Sequence, residues 1–83
     1  MNSPFVMTQA RHTAEKLLET EELDDARRLA FAYRNALGRL PSERERQIAL
    51  DYMRGAKTSE QRVAAWERLC QTLFACVDFR YVN

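Results

Sequence analysis

Glycine, proline, cysteine and histidine are all scarce in this chain of 83 residues, and each shortage closes off a kind of chemistry. The two glycines, Gly38 and Gly55, stand too far apart to form a phosphate-cradling loop, and neither G-x-S-x-G nor H-E-x-x-H occurs. A nucleophilic triad needs a histidine as its base. The single one here, His12, lies beside Arg11 and near Glu15 on a charged stretch and reads as a surface residue. The two cysteines, Cys70 and Cys76, make neither C-x-x-C nor the haem-attachment motif C-x-x-C-H. Six residues apart on one helix, they are separated by about 9 Å along its axis, beyond the roughly 4.4–6.8 Å that a disulfide spans. They read as reduced core thiols, and a metal site would need more ligands at closer spacing. The expectation is a chain that is not an enzyme and holds no cofactor.

Long hydrophobic runs are also missing. No stretch approaches the roughly 20 apolar residues that cross a bilayer. The opening Met-Asn-Ser-Pro-Phe-Val-Met-Thr-Gln has neither the basic start nor the continuous apolar segment of a signal peptide. As written, the chain reads as a soluble cytoplasmic protein with no membrane partner. Charge of one sign is lacking too: 13 basic residues face 12 acidic ones, for a net charge of +1. That balance supplies no overall attraction to nucleic acid or an anionic membrane.

What the sequence has instead is helical periodicity. A hydrophobic fraction of 46%, much of it alanine, with a mean hydropathy of -0.54 describes a thin core under a charged surface. Ser3-Pro4 is a helix start, serine as N-cap and proline in the first turn. Val6, Ala10, Ala14, Leu17 and Leu18 follow at helical spacing, as far as about Leu18 or Glu19. The acidic cluster Glu21 to Asp25 precedes a second run, Leu23, Ala26, Leu29, Ala30, Tyr33 and Leu37, closed by Gly38. Within it, Asp24 and Arg28 have the favourable order for a surface ion pair. Ser42 and Glu45 form a capping box for a third helix, whose buried face is Ile48, Ala49, Tyr52 and Met53 and whose end is Gly55. Thr58 and Gln61 make a second box. Beyond it come Val63, Trp66, Cys70, Leu73 and Val77, flanked by Leu69 and Phe74, with Trp66 as the expected centre of the core. Phe79 or Tyr81 is expected to fold back onto the bundle. The pattern predicts one domain over residues 1–83, an all-α compact bundle of about four short helices.

Two clusters invite a binding reading. Arg34, Arg39 and Arg44, with Arg46, surround the turn at Gly38 and suggest a small nucleic-acid-binding domain with a salt-sensitive phosphate contact. Glu43 and Glu45 interleave with them, and 11 of the 13 cations are arginine, the residue suited to planar pairing with carboxylates. Helix-surface ion pairs are therefore the plainer account, and nucleic acid is the alternative partner. The aromatics Tyr33, Tyr52, Trp66 and Phe74 fall at core spacing; any of them left outside would serve contact with another protein.

Three segments carry a resemblance. They are Asn2-Ser3-Pro4-Phe5-Val6 with Gln9-Ala10-Arg11, then Tyr33-Arg34-Asn35-Ala36-Leu37-Gly38-Arg39-Leu40-Pro41 with Glu43 and Glu45, and Ala65 to Phe74 running into Asp78-Phe79 and Tyr81-Val82-Asn83. In this order and spacing they resemble the C-terminal domain of unknown function of the planctomycete cytochrome-c-domain protein family. The resemblance covers nearly the whole chain. It implies a helical module with no established catalytic residue, the family's haem-binding domain lying well upstream; no haem is expected here. The match begins partway into the family's domain. The implied consequence is apolar surface where upstream helices would pack, at Phe5, Met7, Leu17 and Leu18, and hence a protein partner or a homodimer.

Overall fold

A computed structural model describes residues 3–82, with side chains as far as Cys76. Four helices follow one another: α1 (Pro4–Glu19), α2 (Asp25–Leu37), α3 (Glu43–Arg54) and α4 (Ser59–Val82). The all-α bundle expected from the periodicity is the fold, and the described residues include no strand.

Each boundary has a local cause. At the start of α1 the Ser3 hydroxyl accepts the Val6 N–H at 3.2 Å, with Pro4 in the first turn. Asp24 accepts the Arg27 N–H at 2.8 Å and so caps α2. Gly38 ends that helix at φ 69°, a left-handed conformation open to glycine at no steric cost, and its N–H donates to the Arg34 carbonyl at 3.0 Å. The Ser42–Glu45 box forms in both directions, at 3.1 and 2.8 Å. Gln61 repeats the device for α4, its Oε1 accepting from Thr58 and Lys57 while its N–H donates to the Thr58 hydroxyl. Gly55 follows α3 in an ordinary right-handed conformation.

α4 is the central element, packing on all three other helices and most extensively on α1. Ala10 and Ala14 are fully buried and let the two backbones approach closely. Trp66 is completely enclosed, with Leu29, Cys70, Leu73 and Met53 in the same cluster. The sequence reading of Trp66 as the core's centre holds.

Three details differ from the sequence reading. Asp24, occupied as a cap, does not form the expected surface pair with Arg28. Arg28 is buried instead, donating from Nε to the Leu17 carbonyl at 2.9 Å and from its terminal nitrogens to Thr20 O and Asp25. The Leu17 carbonyl belongs to the last turn of α1 and the Thr20 carbonyl, which also accepts the Leu23 N–H at 3.2 Å, follows it, so the guanidinium closes α1 from α2. Asp25 also takes two hydrogen bonds from Arg62 of α4, at 2.8 and 3.2 Å, tying three helices at one corner. Second, Ile48, Tyr52 and Val63, expected inside, are exposed. Third, Cys76 is exposed, and only Cys70 is a core thiol; both are free. The expectation for Phe79 and Tyr81 concerns side chains outside the described residues.

Candidate functional site

Four of the apolar residues of α3 fall within an arc of about 140°, with Leu50 beyond its inner edge and packed partly against the core. Ala49 and Met53 occupy the inner half of that arc and reach the core. Ile48 and Tyr52 occupy the outer half and remain 58% and 48% exposed. Beside them α3, α2 and α4 bound an open groove of about 360 Å³, with Tyr33, Ala49 and Leu73 below and Leu69 along the α4 side. Arg68 and Glu45 stand at its rim.

The polar groups at this groove are committed or quiet. Arg39 grips Glu45 with two parallel hydrogen bonds of 2.9 and 3.0 Å, and its guanidinium lies 5.6 Å from the centre of the Tyr33 ring. That grip, with the Ser42 N–H, pulls the Glu45 carboxyl down to about 2. Burial, and then the Glu45 charge, push the Tyr33 phenol above its ordinary value. The Thr72 hydroxyl is bonded back to the Arg68 carbonyl at 3.0 Å. In the core nearby, burial pushes the Cys70 thiol up to about 12, leaving it a poor nucleophile.

Two other depressions are lined mostly by charged and polar residues. One, of about 450 Å³ between α1 and α4, contains His12 and is crossed by the Arg11–Glu67 pair at 3.5 Å. The other, of about 600 Å³, lies at the Arg28–Arg62 corner, where both cations are engaged by Asp25. Among the described residues no group of three or more histidine, cysteine or acidic side chains is close enough to hold a metal ion, and no helix is long and apolar enough to cross a membrane.

The residues singled out from the sequence do not gather into one site. Phe5 and Met7 are exposed, at 66% and 51%. They sit about 200° apart around α1, on opposite flanks of the buried Val6, so they form no common patch. Leu17 is a correction: it is only 6% exposed and belongs to the core, and Leu18 is half-buried against that core. Both turn inward because α2 and α4 close the end of α1. Of the arginines around Gly38, Arg39 is held by Glu45 and Arg46 by Glu43, while Arg34 and Arg44 are exposed without an ion-pair partner among the described residues. Ile48 and Tyr52 were hidden in the sequence because helical periodicity marks an apolar arc but not how deeply it is sunk.

No family model, curated protein or solved structure matches this chain.

Proposed function

We propose that this chain is a non-catalytic helical module that binds protein through the groove between α3 and α4. One observation carries the reading: Ile48 and Tyr52 stand in solvent next to an apolar groove, beside a core that is already closed without them. Large aliphatic and aromatic side chains on a rigid, capped helix suit a contact surface, since they cover area at little entropic cost. The one carboxylate lining the groove, Glu45, is engaged by Arg39, and no cysteine or histidine lines it, which favours binding over catalysis. The resemblance to a planctomycete domain without established catalytic residues points the same way.

Site-directed photocrosslinking in the producing cell tests this. A photoreactive residue is placed at Ile48, at Phe5 or at Glu22 in three separate variants of the full chain. Covalent protein adducts concentrated at position 48, whether to another protein or to the chain itself, are expected. Adducts at Phe5 with none at 48 would return the contact surface to α1 and overturn the groove.

A further inference from the structure

The outward stripe of α3 has a charge order that specifies what covers it. Arg44, Ile48, Asp51 and Tyr52 are all exposed and share one side of the helix. Taking Ile48 as origin, Arg44 lies about 6 Å toward the N-terminus and Asp51 about 4.5 Å toward the C-terminus, both on the same flank of the stripe. Arg44 has no ion-pair partner among the described residues. Asp51 uses Oδ1 for Arg54 at 2.9 Å, and no described group bonds its Oδ2.

Resting on the groove reading above, we infer that the partner is a second copy of this chain. The two α3 helices run antiparallel about a two-fold axis beside Ile48. The axis reverses the height of every residue and preserves its flank. Arg44 therefore meets Asp51 of the partner subunit within about 1.5 Å along the axis, and the pair occurs twice. A parallel arrangement would instead keep each residue at its own height and carry it to the opposite flank, so Arg44 and Asp51 would not meet. Ile48 meets its own copy at the centre. Tyr52, on the opposite flank, is carried to the Glu45 end of the facing groove, where the Tyr33 ring provides an apolar floor. A net charge of +1 raises little repulsion between copies.

Light scattering during size exclusion of the full chain over a wide concentration range gives the first reading, with charge-swap variants as the second. The expected mass rises with concentration toward twice 9.7 kDa. Arg44→Asp and Asp51→Arg each weaken the dimer by about tenfold, and the double variant recovers most of that loss, because the swapped charges face each other again. All of these positions are exposed, so helix content by circular dichroism stays unchanged. In a Cys76→Ser background, Ile48→Cys should form a disulfide-linked dimer under mild oxidation. A dimer in which the double swap recovers nothing and Ile48→Cys does not cross-link overturns the antiparallel α3 arrangement. A monomer at every concentration overturns the second copy as occupant, and photocrosslinking from position 48 to a different protein would then leave the groove reading standing. A monomer with no adduct from position 48 ends both.

Discussion

α1 and α3 are built from the same local grammar and end in different situations. Both begin with a capping serine and carry a short apolar arc on a charged helix. The arc of α1 is buried along Val6, Ala10, Ala14 and Leu17, and two alanines allow its backbone to lie close on α4. The apolar residues of α3 are buried at Ala49 and Met53, with Leu50 partly buried against the core and Ile48 and Tyr52 outside. Residues aimed at the helix contact are buried whatever their size, and bulk on the flank turned away from it stays outside. A helix can thus be anchored by one half of its apolar arc and offer the other half elsewhere. On this view α1 and α4 make the stable frame, and α3 is the face that frame presents.

The largest expected effect tests the frame. Trp66 is wholly enclosed between the helices, and Trp66→Ala removes its contacts and opens a cavity, for about 3–5 kcal/mol. Total stability for small domains is about 5–15 kcal/mol, so urea denaturation should find this variant close to unfolded. A loss below about 1 kcal/mol would mean that Trp66 does not centre the core.

Arg28→Ala comes next. It strips the buried charge-assisted bond to Leu17 O and the partly buried ones to Thr20 O and Asp25, leaving the Leu17 carbonyl without the guanidinium while Thr20 O keeps the Leu23 N–H. The expected loss is about 2–3 kcal/mol by the same denaturation measurement. Hydrogen exchange should open the last turn of α1 while α3 keeps its protection. If α3 opens equally, the frame and the presented face are one cooperative unit and the contrast between them fails.

These two residues also mark where the sequence was readable. The helix ends at Ser3, Gly38, Ser42 and Thr58 follow from bonds within four residues, so the local sequence contains everything that decides them. Trp66 stood out because it heads the most apolar stretch of the longest periodic run. The burial of Arg28 depends on a carbonyl eleven residues earlier, and its partner Asp25 is held by Arg62, 37 residues later. Nothing in the neighbourhood of Arg28 distinguishes it from the surface arginines. The exposure of Ile48 and Tyr52 was hidden for a related reason: it is set by how far α3 sinks against Tyr33 and Leu73, which is tertiary information. The reading of Leu17 as partner surface failed in the reverse sense, because closure by α2 and α4 is equally non-local.

A smaller effect separates face from frame directly. Ile48→Asp replaces an exposed side chain, so its cost to the monomer should stay within about 0.5 kcal/mol, measured at concentrations too low for association. The same substitution should abolish association at higher concentration. A loss of several kcal/mol in the monomer would instead show Ile48 to be part of the frame.

The smallest effect concerns acid. The Arg39 grip holds folded Glu45 at about 2, against an ordinary value of 4.5. As pH falls below 4.5 the unfolded chain takes up this proton first, so the folded state loses relative stability from there down to about pH 2. Above pH 4.5 the group contributes its full stabilisation and no slope. Asp25, lowered chiefly by its hydrogen bond from Arg62, acts with the same sign below its ordinary 3.8. Thermal unfolding of the chain and of Glu45→Gln across this range should therefore converge: the variant starts lower at neutral pH and declines less steeply, because the titrating group is gone. Glu45 is solvent-facing, so added salt should shrink the difference between them. Two melting curves that remain parallel down to pH 2 would mean that the α2–α3 rim is held by packing, with the Arg39–Glu45 pair a passenger on it.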